Sequence, residues 1–97
     1  MEKRIYLNNL YDYYKGLFTD KQQEYFEDYY HNNFSLSEIA ENNNISRNAV
    51  YNQIKIVEER LEELENILQL FSKKNKIMKM LKNQISTDIF EQLEELL

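Results

Sequence analysis

The sequence contains no cysteine, proline or tryptophan, and only one glycine and one histidine among its 97 residues. Without cysteine there is no disulfide framework and no thiolate to bind a metal or attack a substrate. With one glycine and no proline, β-hairpin turns lack their usual residues, which points to an all-α chain. Gly16 alone cannot build a phosphate-cradling loop. The lone His31 gives a metal no second imidazole, and its expected place at a helix C-terminus offers it a dipole contact instead. No apolar run approaches the roughly 20 residues of a membrane span. The opening MEKRIYLNNLYDYY lacks the apolar centre of a signal peptide, so a soluble cytoplasmic protein is expected. The carboxylates fall on polar helix faces with no nucleophile–base pair beside them. Neither an enzyme nor a cofactor is expected.

What is present is charge, unevenly spread. The net charge is −5, unlike most small nucleic-acid binders, which are basic because phosphate contacts supply much of their affinity. Residues 35–57 are neutral and residues 58–72 are strongly acidic. Residues 73–85 hold five lysines and no acid, and residues 86–97 hold four acids and no base. Positive potential is thus confined to Arg47 and Lys55 and to the lysines of 73–82.

Helical periodicity runs throughout. A first helix is expected from about Lys3 to Leu17, with Leu7, Leu10, Tyr14 and Leu17 on its buried face, Tyr11 and Phe18 beside it, and Gly16 easing its end. Thr19-Asp20-Lys21-Gln22 is a capping box opening a second helix, whose stripe is Tyr25, Phe26, Tyr29 and Tyr30 and whose end is His31-Asn32-Asn33. Ser35-Leu36-Ser37-Glu38 is another capping box. It opens a short helix with Leu36, Ile39 and Ala40 inward, closed by Asn42-Asn43-Asn44. Ser46 caps a fourth helix of about 25 residues along which Val50, Ile54, Val57, Leu61, Leu64, Leu68 and Phe71 repeat in 4–3 steps, three heptads of a seam. A break is expected over Ser72–Asn75. A short basic helix with Ile77, Leu81 and Ile85 follows. A last acidic helix, capped by Ser86-Thr87, has Ile89, Phe90, Leu93, Leu96 and Leu97 apolar. The domain reading is 1–72 for the helix-turn-helix unit with its long helix, and 73–97 for a basic-then-acidic extension packing on it or on a dimer partner.

The informative stretch is SLSEIAENNNISRNAVYNQIK, residues 35–55. A short capped helix, a tight turn and a second capped helix form a helix-turn-helix, with small Ala40 where the helices cross and Ile39, Ile45, Val50 and Ile54 as the apolar joint. Arg47, Asn48, Tyr51, Asn52 and Lys55 are expected to project outward. With Ser46 and Arg47 placing the helix on the backbone, Arg47, Asn48 and Asn52 suit base edges, and Tyr51 and Lys55 suit phosphates. The pattern resembles the helix-turn-helix of the last region of bacterial sigma factors. It departs in having Asn44 where glycine is usual and Asn43 where an apolar residue is usual, which is expected to loosen the first helix's last turn. The bland alternative is a helix-turn-helix that serves only as a packing or protein-docking unit.

From Leu10 to Leu61 the chain resembles the YlxM-like family of small bacterial helix-turn-helix proteins. The aromatic run before TDKQ, then SLSEIA, then SRNAVY, carry the resemblance. It implies an all-helical sigma-like fold and an accessory or regulatory role near the signal recognition particle pathway, a link that rests on gene neighbourhood. It brings no catalytic residues. Two functions follow as expectations. One is a DNA-binding transcription regulator linked to that pathway. The other is an accessory protein that docks on the particle's RNA, GTPase or receptor.

Three features carry a sharp and a bland reading. The heptad seam is core, or the seam of a homodimer. Lys73, Lys74, Lys76, Lys79 and Lys82 are a solvated face partly neutralised by the flanking acids, or a docking site for RNA phosphates, an acidic partner or a membrane surface. The eight tyrosines crowd the first two helices, and their helical spacing favours core filling with hydroxyls at the surface over stacking platforms for single strands.

Overall fold

The computed structural model describes residues 2–97, and no strand occurs among them. Six helices follow in order: α1 (Lys3–Tyr14), α2 (Asp20–Tyr30), α3 (Leu36–Asn43), α4 (Arg47–Leu68), α5 (Leu70–Leu81) and α6 (Thr87–Leu96). The start signals read from the sequence operate as such. Thr19 and Ser35 each accept the backbone N–H three residues on, while Gln22 and Glu38 accept the cap residue's own N–H, completing two capping boxes. Ser46 and Ser86 cap α4 and α6 through Ala49 and Ile89.

The first helix ends earlier than expected. After Tyr14 the chain tightens into a 3-10 turn over Lys15–Leu17. That turn rotates Leu17 out, 66% exposed, and brings Phe18 into the core instead. Gly16 has a negative φ there, and a Cβ on it would meet nothing within 4 Å, so the turn does not demand glycine. Asparagine does the work expected of it at two helix ends: Asn33 and Asn44 have φ 57° and 54°.

The core is built from α1–α4. Leu7, Leu10, Tyr11 and Tyr14 of α1 meet Tyr25, Phe26 and Tyr30 of α2, and α4 lies across both with Val50, Ile54, Val57, Leu61 and Leu64. Phe26 is sandwiched between Tyr11 and Tyr30, each ring centroid 4.2 Å away. The first five members of the heptad seam are therefore filled from within the chain. The seam does not continue as one helix. Gln69 takes the left-handed conformation, φ 56°, and ends α4, and α5 restarts at once, so the expected break at Ser72–Asn75 lies inside a helix. Leu68 is left 42% exposed and Phe71 packs edge-on to Tyr6 and Tyr13 of α1.

A buried carboxylate lies at that break. Glu65, 5% exposed, accepts hydrogen bonds from the Tyr14 hydroxyl at 2.8 Å and from the backbone N–H groups of Phe71 at 3.2 Å and Ser72 at 2.9 Å. Leu70 N–H in turn donates to the Tyr14 hydroxyl. One carboxylate and one phenol thus satisfy the first N–H groups of α5, where a negative charge also meets the positive end of the helix dipole.

Two further pairs of the same kind tie the helices together. The Tyr11 hydroxyl donates to Glu27 at 2.6 Å, and the Tyr30 hydroxyl donates to Glu58. The tyrosines do fill core, but these three hydroxyls close onto glutamates of neighbouring helices rather than opening to water. Together the pairs link α1 to α2, α2 to α4 and α1 to α4. Burial, then the bond to Glu65, pushes the Tyr14 phenol up to about 12, and burial raises Tyr11 and Tyr30 as well.

The α5–α6 hairpin is different. Met78 alone is buried on α5, and nothing is buried on α6, which packs mainly against α5. The whole is long, 53 × 25 × 23 Å, with a radius of gyration of 16.4 Å, where a compact chain of this length has about 12.5 Å.

Candidate nucleic-acid interface

The turn between α3 and α4 is a closed structural motif. Asn44 N–H donates to Glu41 O, and Ile45 N–H donates back to Ala40 O at 3.0 Å, the paired bonds of a Schellman ending around a left-handed residue. Asn44 therefore serves where glycine was expected. Asn43 does not loosen the last turn. Its side chain donates to Ile39 O at 2.8 Å and accepts from Lys21 of α2. Ile39 and Ala40 are buried against Val50 and Ile54, so the small residue sits at the crossing as expected. Ile45 takes less part in that joint than expected, being 37% exposed.

With Val50 and Ile54 turned inward, the opposite face of α4 is set outward by the helical period. Arg47, Asn48, Tyr51, Asn52 and Lys55 are all exposed. None of the five has a hydrogen bond or ion pair with another described residue. Ser46 is also exposed, but its hydroxyl oxygen is already used as the cap of α4. Tyr51 and Lys55 border a shallow depression of about 80 Å³ that runs to Tyr29 and Leu36. The structure thus brings all six residues to one end of one rigid helix. The same side also carries acid. Glu41 is exposed on α3, and Glu38, held below the usual carboxylate range by the Ser35 backbone N–H, is exposed beside it.

The second group of predicted residues lies elsewhere. Lys73, Lys74, Lys76 and Lys79 are on α5, and Lys82 is just past its end. They are separate from the α4 face. Of the flanking acids, Glu94 and Glu95 border the same depression as Lys74, but no ion pair within one chain joins them among the described residues. The ion pairs are Lys3–Glu62, Lys21–Glu24 and Arg60–Glu63, and none involves these lysines. His31 Nε2–H donates to Asn8 Oδ1 at 2.9 Å, and the ring meets Tyr11 and Phe26 edge-on, a packing role at the end of α2.

Sequence reasoning missed four residues that hold this face in place. Sequence reasoning leaves Glu27, Glu58 and Glu65 among the carboxylates of polar helix faces. Arg4 was given no role, yet its guanidinium donates to Tyr29 O at 2.7 Å and lies 4.6 Å over the Tyr30 ring, closing the C-terminus of α2. A signal existed for two of them: Glu58 and Glu65 stand four residues after Ile54 and Leu61, on the buried stripe itself.

Comparison with known sequences gives the same picture. The profile of the UPF0122 family, described as "Putative helix-turn-helix protein, YlxM / p13 like", matches residues 1–96. The UPF0122 protein YofM of Lactococcus lactis subsp. lactis (strain IL1403) is 46% identical over 91 residues, covering 91% of this chain and 82% of the relative. A UPF0122 protein of Geobacillus sp. (strain WCH70) is 43% identical over 95 residues, covering 98% and 86%. One from Halalkalibacterium halodurans is 43% identical over 88 residues, covering 88% and 81%.

Proposed function

We propose a function from one premise: the chain belongs to the UPF0122 family of YlxM / p13 like helix-turn-helix proteins. The reading is a DNA-binding regulator that inserts the start of α4 into the major groove. The observation that carries it is the outward face of α4, five polar side chains without partners among the described residues, on a helix whose other face is locked into the core. Arg47, Asn48 and Asn52 read base edges, Tyr51 and Lys55 hold phosphates, and Ser46 sets the backbone contact through its hydroxyl hydrogen. The link to the signal recognition particle pathway is part of the same proposal and rests on the family resemblance.

The charge distribution makes a quantitative demand. Two cations per recognition helix give a slope of log affinity against log salt of only about −2 per chain. The test is fluorescence anisotropy with duplex DNA from upstream of the protein's own gene, at low and near-physiological salt. A control duplex of shuffled sequence and the particle's RNA are run beside it. Arg47→Ala, which touches no core residue, is expected to remove most of the DNA binding. The second reading, an accessory protein docking on the particle, is favoured by the unpaired lysines of α5. RNA binding lost only when Lys73, Lys74, Lys76, Lys79 and Lys82 are replaced, without DNA binding, overturns the first reading in its favour.

A further inference from the structure

Of the 13 large apolar side chains left exposed among the described residues, eight lie from Ile67 onward, in the last third of the chain. They are not scattered. Leu70 and Ile77, one heptad apart on α5, are 44% and 38% exposed. Ile89 and Leu96, one heptad apart on α6, are 51% and 81% exposed, while Phe90 and Leu93 between them are half-buried. Leu70, Ile77, Leu96 and Leu97 line one open groove of about 420 Å³ with Tyr13 of α1, and Lys73 and Lys74 border it. The groove is therefore apolar in its floor and basic at its rim.

We propose that this groove is the seat of α6 from a second copy of the chain, and that the two hairpins exchange α6 contacts about a two-fold axis. Three observations on the molecule select that occupant. First, α6 is strongly amphipathic, but its own chain covers only Phe90 and Leu93 in part and leaves Ile89 and Leu96 open, so its outer face needs a partner. Secondly, the charges are self-complementary. The α5 segment carries only lysines and α6 only acids, and no ion pair joins them among the described residues, although Lys74 borders the same depression as Glu94 and Glu95, so α5 of one copy matches α6 of another in sign. A two-fold arrangement uses that match twice, which a partner of one charge sign, such as RNA, would not. Thirdly, the area fits. A compact chain of 11.9 kDa exposes about 5,900 Å², whereas this one exposes 6870 Å². The elongated chain thus has open surface enough for a standard interface, which takes roughly 800 Å² per partner. The Val50–Leu64 seam has no part in this dimer, because it is already filled. The proposal stands independently of what α4 binds.

The experiment is sedimentation equilibrium of the full chain over a concentration series, with circular dichroism to confirm helicity. The wild type is expected to dimerise. Lys73→Glu/Lys74→Glu and Glu91→Lys/Glu95→Lys are each expected to raise the dimer Kd at least about tenfold. Mixing the two variants is expected to restore dimer, because the reversed charges meet across the axis. Leu96→Glu, at a side chain four-fifths exposed, is expected to give monomer with unchanged helicity. A wild type that stays monomeric throughout overturns the proposal. So does a dimer indifferent to all three variants, or a mixture that fails to recover, which would place the charge match inside a single hairpin.

Discussion

Phe26 and Leu96 are both large apolar side chains on amphipathic helices, yet the first is fully buried and the second is 81% exposed. The contrast extends to their surroundings. Around Phe26, α1, α2 and α4 interlock through stacked rings, and their polar edges are finished by tyrosine–glutamate bonds. Around Leu96, α6 rests on α5, and it is α5 that joins the hairpin to α1 and α4. The difference teaches that amphipathicity declares a need for cover without saying where the cover comes from. In α1–α4 the chain supplies it, and this fixes the outward face of α4. In α5–α6 the chain does not.

The contrast is broken most directly by truncation. Phe26→Ala removes a ring held at 4.2 Å on both sides and is expected to cost about 3–5 kcal/mol in urea unfolding, a large part of the stability of a domain this size. Ile89→Ala, at half-exposed α6, is expected to cost less than about 1 kcal/mol at concentrations too low for association. Equal losses at the two sites would mean that the hairpin has a core of its own.

The joint between the regions comes next. Glu65→Gln keeps the shape but buries an amide N–H₂ with no acceptor, and removes the charge at the start of α5. A loss of about 1–3 kcal/mol is expected, with amide exchange in α5 accelerated before that in α4. Tyr14→Phe, which strands Leu70 N–H, is expected to cost about 1–2 kcal/mol. The pH dependence has a definite sign. The phenol is raised in the folded chain, so its contribution is intact below its ordinary value of 10 and is lost as pH rises through about 12. An alkaline melting series should therefore show stability falling from pH 10 upward, and less steeply in Tyr14→Phe.

Much of this was legible from local signals. The caps Thr19, Ser35, Ser46 and Ser86 each act on a backbone N–H three residues away, so sequence spacing suffices to find them. The outward set Arg47, Asn48, Tyr51, Asn52 and Lys55 follows from the period that buries Val50 and Ile54. What was not legible depends on long-range partners. Tyr14 and Glu65 are 51 residues apart, and the heptad pattern runs smoothly across Gln69, so nothing in the spacing marks the helix break beside which their bond forms. Leu17 and Phe18 changed places because a 3-10 turn advances the chain by a third of a turn per residue rather than by 1/3.6.

The smallest effect separates two left-handed residues that end helices, Asn44 in the helix-turn-helix and Gln69 at the joint. Asparagine tolerates this conformation because its short amide bonds locally, whereas a longer side chain carries more of the roughly 1–2 kcal/mol penalty. Glycine removes that penalty but returns part of the gain as unfolded-chain entropy. Gln69→Gly is therefore expected to stabilise by about 0.5–1 kcal/mol, a rise in Tm of a few degrees, and Asn44→Gly by close to nothing. The two substitutions ask whether each turn is set by its own residue or imposed from outside. If Gln69→Gly leaves Tm unchanged, the joint is as relaxed as the helix-turn-helix, and the Glu65 carboxylate holds no strain there. If it raises Tm, the left-handed turn at Gln69 is imposed by Glu65 and Tyr14, and the α5–α6 hairpin owes its direction to those two side chains.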